Sequence, residues 1–289
     1  MKASYYPGCS LESTGKPYDH STRSVCRLLE VELHEPSGWS CCGSSAALKM
    51  DRLLSVSLAA NNLALTEKEH LSDVLVPCPF CYRRLLSAQQ ELRADPGLSA
   101  KVESAIGSSP GGELNVRNTL DFYRNLVGLE LIQSKVQKPL RGLKVLPYYG
   151  CYLLKPQNVT SFDDPENPVS MDEILAALGA EVLDWDFKTE CCGSGLAISK
   201  TEKVVELSGR LIGEASFLGA DAIVVVCQLC QANLDMRQQE IGRLHGSKYR
   251  VPVVYLTQLM GVAFGIGAKA LGLHHHLVNA QPVLRRYKG

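Results

Sequence analysis

The sequence predicts an α/β protein built from two tandem duplicated α/β halves, each with a small mainly parallel sheet flanked by helices. Two observations lead to this fold. A five-cysteine pattern occurs twice in the same order, and short apolar runs alternate with helical patterns within each repeat. Such alternation is typical of βαβ units. Because the 289 residues divide into two parts of ordinary domain size, we predict pseudo-two-fold related domains at residues 1–140 and 141–289.

The repeat is defined by cysteines in the order C, CC, CxxC. The first copy reads YYPGCS, CCGSS and LVPCPFCYRRLL, and the second reads YYGCY, CCGSG and VVVCQLCQANLD. The matching positions are separated by 142, 150 and 149 residues, and ten of the 11 cysteines belong to the two sets. Chance does not give this order twice, so the sequence indicates an internal duplication.

Each half has its own predicted elements. In the first, LLEVELHE ends a helix and enters a strand, residues 51–65 form an amphipathic helix, SDVLVPC is a strand and FCYRRLLSAQQEL is a helix. In the second, KVLPYY, AEVLDW and DAIVVVC are strands, and MDEILAALG, residues 201–218 and QLCQANLDMRQQEI are helices. A Gly/Ser/Pro loop at residues 104–115 and a helix at residues 119–133 connect the halves.

Composition narrows the function classes. The apolar fraction of 45% and charged fraction of 21% are ordinary for a globular protein. A net charge of zero does not favour nucleic-acid binding. The apolar residues 251–273 contain Thr257, Gln258 and Lys269. We predict there a buried strand at residues 251–256 and a helix with Thr257 as N-cap, and no direct membrane span. Because the N-terminus lacks a signal-like apolar segment, a cytoplasmic location is expected.

The cysteines are placed where parallel sheets collect functional groups, at the carboxyl ends of strands. Four of them directly follow strand-like runs: Cys9, Cys78, Cys151 and Cys227. Both CxxC pairs then enter a helix, whose N-terminus favours thiolate. Gly43 and Gly193 permit a tight turn after each vicinal pair. We therefore expect each half to bring five thiolates together.

Five thiolates exceed the needs of the simpler cysteine sites. Structural zinc takes four ligands, a redox dithiol takes two, and a cubane iron–sulfur cluster takes four. Five ligands with a vicinal pair fit a non-cubane cluster in which one thiolate bridges two irons. The spacing itself indicates a soft-metal cluster and leaves the cluster type open.

The doubled C…CCG…CxxC pattern resembles the cysteine-rich CCG domain of the B component of heterodisulfide reductase, over nearly the whole chain. The resemblance implies two non-cubane four-iron four-sulfur clusters that carry the catalysis. The implied ligands of the first cluster are Cys9, Cys41, Cys42, Cys78 and Cys81. Those of the second are Cys151, Cys191, Cys192, Cys227 and Cys230.

The resemblance also implies a function: an oxidoreductase acting on sulfur groups, in methanogenesis or a related process. It would cleave the coenzyme M–coenzyme B heterodisulfide, or a related disulfide, by two-electron reduction between the clusters. Relatives with degenerate sets imply an alternative, an electron-relay subunit of a glycolate-, lactate- or succinate-type dehydrogenase. Both sets are complete here, which favours disulfide reduction. A non-enzymatic thiol-rich metal-binding protein is the third alternative.

Electrons have to come from another polypeptide. The chain has no GxGxxG fingerprint after a strand, so we expect no flavin or nicotinamide site on it. The resemblance implies a multi-subunit complex with a ferredoxin-like C component and a flavin-containing A component.

The remaining candidates have ordinary structural interpretations. Cys26 lacks a counterpart in the second repeat and is expected to be a buried structural thiol. Structural or surface roles are expected for His274, His275 and His276, strand-core roles for Tyr5, Tyr6, Tyr148 and Tyr149, and solvated positions for Lys16, Lys49 and Lys200.

Overall fold

Two four-stranded parallel sheets form the framework of the protein. A computed structural model describes residues 1–44, 46–108 and 113–286. The first sheet has the order β2-β1-β3-β4 and the second β6-β5-β7-β8, with every pairing parallel. The strands are β1 (Lys2–Tyr5), β2 (Glu32–His34), β3 (Asp73–Leu75), β4 (Asn115–Arg117), β5 (Lys144–Tyr148), β6 (Glu181–Val182), β7 (Ala222–Val225) and β8 (Val253–Tyr255). The predicted fold class is confirmed.

Helices flank both sheets. The first half contains α1 (Lys16–Leu28), α2 (Ala46–Met50), α3 (Arg52–Glu67), α4 (Pro79–Ala94) and α5 (Pro96–Ile106). The connection contains α6 (Thr119–Asp121), a π-helical segment (Phe122–Gly128) and α7 (Leu129–Ser134). The second half contains α8 (Cys151–Leu154), α9 (Ser170–Ala177), α10 (Thr201–Phe217), α11 (Gln228–Met236), α12 (Gln238–His245), α13 (Leu256–Ala263) and α14 (Gln281–Arg286).

Local chemistry explains where the helices begin. The carboxylate of Asp51 accepts a hydrogen bond from the backbone N–H of Leu54 at 2.7 Å and caps α3. Pro79 occupies the first turn of α4, where its missing N–H costs nothing. The chain therefore turns from β3 into α4 directly at Cys78.

Several local predictions are corrected. The helix predicted at residues 119–133 contains a full π-helical segment, and the predicted helix QLCQANLDMRQQEI is divided at Arg237. The predicted N-cap Thr257 is wrong, because α13 begins at Leu256 with Tyr255 as its cap. The hydroxyl of Thr257 instead lies 2.6 Å from that of Ser21. The predicted loop at 104–115 begins inside α5, and residues 109–112 of it lie outside the described residues.

The two halves share a continuous apolar core. Helix α1 of the first half packs against α13 of the second, and α9 of the second packs against the helical connection. The rings of Tyr18 and Tyr255 stack with centroids 4.4 Å apart, and those of Phe80 and Tyr152 stack at 4.0 Å. The predicted division at residues 140 and 141 thus separates two sheets whose flanking helices pack together, and it stays a prediction.

Candidate metal centres

The first cysteine set gathers at the carboxyl edge of the first sheet. Cys9 follows β1, the vicinal pair Cys41 and Cys42 lies in the loop after β2, and Cys78 is the residue that caps α4 after β3. Cys81 lies in the first turn of that helix. As expected, three strands deliver five thiols to one edge.

These five thiols form a continuous series of contacts. The Sγ atoms of Cys9 and Cys41 are 3.7 Å apart, and those of Cys42 and Cys81 are 3.3 Å apart. The thiols of Cys78 and Cys81 share a further hydrogen bond. The order of contacts therefore runs from the single cysteine through the vicinal pair to the CxxC motif.

The second set repeats this arrangement. Cys151 begins α8 after β5, the vicinal pair Cys191 and Cys192 follows β6, and Cys227 caps α11 after β7. The thiols of Cys151 and Cys191 share a hydrogen bond. The Sγ atoms of Cys192 and Cys230 are 3.6 Å apart, and the Cys227 and Cys230 thiols also interact. Both halves thus place equivalent cysteines in equivalent contacts.

The glycine before the single cysteine is a site residue that the sequence analysis missed. Gly8 and Gly150 have φ of +71° and +70°. A Cβ at Gly8 would lie 2.8 Å from Cys81 Sγ, and one at Gly150 would lie 3.2 Å from Cys230 Sγ. Only glycine therefore lets the backbone approach the CxxC thiol this closely. The signal was present, since GC occurs at both copies of the repeat.

The glycine after each vicinal pair binds a thiol through its backbone. The N–H of Gly193 donates to Cys191 Sγ at 3.3 Å, and Gly43 makes the equivalent bond to Cys41. Both glycines have positive φ, as the tight-turn prediction requires.

Each set has an exposed end and a buried end. Cys9, Cys41 and Cys191 are exposed and Cys151 is half-buried, whereas the other six are buried. An open depression beside Cys9 and Cys41 is also lined by Glu12, Glu35 and Trp39. A substrate or partner therefore has access from the side of the single cysteine.

A hydrogen bond between two thiols lowers the pKa of one of them and raises that of the other. A bond from Cys41 lowers the pKa of Cys42 to about 4. A bond from Cys151 lowers the pKa of Cys191 to about 6, and one from Cys230 lowers that of Cys192 to about 7. The thiolate is the form that binds metals, so Cys42, Cys191 and Cys192 are the thiols most readily available as ligands.

The two sets meet through their CxxC ends. The side-chain amide of Gln228, which follows Cys227, donates to Cys78 Sγ of the first set at 2.9 Å. Tyr18 lies beside both motifs: burial raises the pKa of its hydroxyl, and the nearby Cys227 and Cys78 raise it further. The hydroxyl of Tyr18 also donates to the carbonyl of Val226 at 3.3 Å. Buried protein atoms therefore connect the sets.

Tyrosines that precede the single cysteines hold the loops of the vicinal pairs by hydrogen bonds. The Tyr6 hydroxyl donates to the carbonyl of Ser40 at 2.6 Å, and that of Tyr148 donates to the carbonyl of Glu190 at 2.6 Å. Each bond holds the residue that directly precedes a vicinal pair. Tyr5 and Tyr149 are also buried, and they donate to carboxylates of Asp19 and Asp172 respectively.

The other candidates are buried side chains with partners of their own or exposed side chains. Cys26 is buried with its Sγ 3.4 Å from the Tyr123 hydroxyl. His276 is held between the side chains of Gln231 and Gln258, while His274 and His275 are exposed. The three lysines singled out in the sequence, Lys16, Lys49 and Lys200, are exposed.

The donor chemistry of each set fits an iron–sulfur cluster. Ligands of this kind are all soft sulfur, which selects iron–sulfur clusters, zinc or copper(I). In the described ranges, no three His, Cys, Asp or Glu side chains are arranged to hold a single metal ion. A series of contacting thiols along one edge suits a polynuclear cluster, which spreads its ligands over several metal ions.

Comparison with known families agrees with the repeat. A family model described as CCG, cysteine-rich domain, matches residues 3–85 and again residues 145–235. The chain belongs to the CCG cysteine-rich domain family. Each matched segment contains one complete five-cysteine set, and the resemblance stated from the sequence is confirmed.

Relatives of this CCG protein come from two kinds of enzyme. It is 35% identical to the 8-methylmenaquinol:fumarate reductase membrane anchor subunit of Wolinella succinogenes, covering 96% of both chains. It is 30% identical to the B component of the ferredoxin:CoB-CoM heterodisulfide reductase of Methanosarcina mazei, covering 96% of this chain and 94% of the relative. These relationships indicate an iron–sulfur subunit.

A solved structure of a hypothetical protein from Helicobacter pylori has the same fold. The TM-score is 0.73 at 11% identity, with 96% of this chain and 52% of that one covered. The CCG protein thus spans about half of that structure. Within the described residues, no helix has both the length and the apolar character required to cross a bilayer.

Proposed function

We propose that this chain is the catalytic iron–sulfur subunit of a heterodisulfide reductase-like complex. In this proposal, each set of five thiolates holds a non-cubane four-iron four-sulfur cluster, and the pair performs two-electron reductive cleavage of a disulfide. The ligands are Cys9, Cys41, Cys42, Cys78 and Cys81 in one half and Cys151, Cys191, Cys192, Cys227 and Cys230 in the other. The observation that carries the proposal is that two complete sets meet through Gln228 and Cys78.

Electron counting favours a paired site. Conversion of a disulfide to two thiols consumes two electrons and two protons. When bound, each cluster supplies one electron and an iron that can bind one sulfur. The chain contributes two equivalent ligand sets, and it places the exposed cysteines Cys9, Cys41 and Cys191 where a disulfide and water-borne protons can arrive. The buried CxxC ends keep the connection between the sets away from water.

The chain itself fixes the ligands before any substrate arrives. The hydrogen bonds from Tyr6 and Tyr148 hold the loops of the vicinal pairs, and Gly8 and Gly150 allow the strand ends to pack on the CxxC thiols. Preorganised ligands lower the reorganisation needed at each redox step. The same fixed loops would keep the two sites in a constant relative position.

The direct test uses protein purified without oxygen, assayed for disulfide reduction with an artificial electron donor. Cys192→Ala removes one ligand of the second set, and we expect it to lose about half of the bound iron and all disulfide reduction. Cys26→Ala, which alters a thiol outside both sets, is the matched control and retains iron and activity. Full activity of Cys192→Ala after loss of iron from the second set would disprove two-cluster cleavage.

The 35% identity to the fumarate reductase subunit favours a second candidate function. In it, the clusters relay electrons in an organic-acid reductase or dehydrogenase complex. The two functions differ in one assay: reduction of a disulfide by the isolated protein supports catalysis here. Electron transfer to an organic-acid-reducing partner, with no disulfide reduction by any component of the complex, supports the relay.

Electron delivery by partner proteins is part of the proposal. All ten set cysteines are committed to the two sites, and the chain has no dinucleotide fingerprint. We therefore propose a ferredoxin-like C component as the electron donor, fed by a flavin-containing A component. Eleven free thiols fit a reducing, cytoplasmic compartment.

A further inference from the structure

We propose that the two cysteine sets are electronically unequal, and that Arg84 and Gln228 cause the first-half cluster to be reduced before the second-half cluster. The inference rests on the proposed function, because it assumes a cluster in each set. The internal repeat allows each side chain near the ligands of one half to be compared with the side chain at the equivalent position of the other half.

The first difference lies one turn beyond the CxxC motif. Arg84 and Asn233 occupy equivalent positions, each three residues after the second cysteine of its motif. On a helix, residues three apart share a face, so both side chains lie on the side of Cys81 or Cys230. Arg84 is 6% exposed and Asn233 is 4% exposed. A buried cation in one half thus replaces a buried neutral amide in the other.

Arg84 has one buried N–H group that no described residue satisfies. Its Nη2 binds Glu91 at 3.0 Å, but its Nε is buried without a hydrogen-bond partner among the described residues. Glu91 is shared with Arg52, whose Nε lies 2.9 Å away. Arg52 also reaches Asp95 at 3.7 Å. Both carboxylates are more exposed than Arg84, so water screens their charge more than that of the buried guanidinium. The Arg84 charge is one of the groups that stabilise the Cys42 thiolate.

Asn233 acts on the second set only as a dipole. Its Nδ2 donates to the carbonyl of Cys192 at 3.3 Å and lies 3.6 Å from Cys192 Sγ. A dipole stabilises added negative charge less than a full charge does, and the difference grows in a buried environment. An electron added to the first set is therefore stabilised more.

The second difference lies inside the CxxC motif. Gln228 is 4% exposed and donates across the interface to Cys78 Sγ at 2.9 Å. The equivalent residue of the first half is Pro79, whose side chain has no donor to return to Cys227. Hydrogen bonds to ligand sulfur tune the potential of an iron–sulfur cluster. Both differences stabilise extra electron density in the first set.

The inequality has a consequence for the proposed reaction. The first electron delivered to the chain settles in the first set, and the second set then holds the more strongly reducing electron. The two sulfurs of the disulfide accordingly meet two different sites. An unsymmetrical disulfide can therefore bind in one preferred orientation.

The test is a redox titration of the anaerobic holoprotein followed by electron paramagnetic resonance. Signals are assigned with Cys192→Ala, which retains only the first set. We expect two unequal potentials in the unaltered protein. Arg84→Gln should lower the ratio of reduced to oxidised first cluster about tenfold at a fixed potential, a shift of about 59 mV for one electron. Arg84→Lys keeps the charge and should preserve most of the potential.

Further variants keep the inference falsifiable if Arg84→Gln binds iron poorly. Gln228→Met retains the side-chain volume but removes the N–H donor. It should lower the reduction potential of the first cluster, by less than Arg84→Gln does. Asn233→Leu is the matched control, and it should change the reduction potential of the second cluster only. The inference would be overturned, and the proposed function left standing, by either of two results. One is equal reduction potentials for the two clusters; the other is an unchanged potential of the first cluster in iron-replete Arg84→Gln and Gln228→Met. A protein without iron and sulfide would instead overturn the proposed function.

Discussion

Gly8→Ala tests whether Gly8 makes room for a ligand thiol, and a comparison with Gly107→Ala separates this effect from backbone strain. Alanine at φ +71° costs about 1–2 kcal/mol in the left-handed region. In addition, its Cβ would lie 2.8 Å from Cys81 Sγ, a separation that real Cβ atoms do not show. Cys81 then has to move, together with the thiols of Cys42 and Cys78 that contact it. We expect selective loss of the first cluster.

Gly107→Ala is the control, because Gly107 has the same φ of +71° and no atom of the described residues lies within 4 Å of the added Cβ. In denaturant titrations of the metal-free protein, Gly107→Ala should lose about 1–2 kcal/mol of unfolding free energy and Gly8→Ala at least as much. Only Gly8→Ala should also lose about half of the iron and acid-labile sulfide after reconstitution. Equal iron contents in the two variants would refute the view that Gly8 makes room for the thiol.

Three further variants test the support of the site and the fold. Tyr6→Phe removes the hydrogen bond to the Ser40 carbonyl, and it should cost about 0.5–1.5 kcal/mol in chemical denaturation, with faster loss of iron to a chelator. Unchanged iron release would argue against support of the vicinal loop. Asp51→Ala removes the cap of α3 and should cost about 1 kcal/mol, seen as a lower denaturation midpoint, with Asp51→Asn as the near-neutral control. Burial lowers the pKa of His276 below that of the unfolded chain, so the unfolded state binds more protons in mildly acidic solution. Unfolding free energy should therefore fall as the pH drops below about 6.5, and His276→Gln should flatten that dependence in denaturation curves measured from about pH 7.5 to about pH 5.

The repeat made much of the fold readable from the sequence. Apolar runs before Cys78 and Cys227 identified the central strands β3 and β7, because buried parallel strands are continuously apolar. The strand β4 was missed, since Asn115–Arg117 is short and largely polar and follows a Gly/Ser/Pro segment. The break at Arg237 and the cap at Tyr255 depend on tertiary packing, which local periodicity does not report.

The positions of the cysteines in the fold could be predicted from the sequence, whereas the side-chain contacts around them could not. Strand ends and the doubled motif placed ten thiols correctly at two edges, because backbone topology decides that placement. The contact between Gln228 and Cys78 joins residues 150 positions apart, so no local pattern contains it. The difference between Arg84 and Asn233 was present in the aligned repeats, yet its meaning depends on burial that only the fold reveals.

The most direct test of the central claim is the amount of iron and acid-labile sulfide bound per chain in protein purified without oxygen. Two four-iron four-sulfur clusters require about eight of each, and Cys42→Ala or Cys192→Ala should each reduce both values by about half. Zinc without sulfide, or iron that is unchanged in both variants, would contradict the assignment of one cluster to each five-cysteine set.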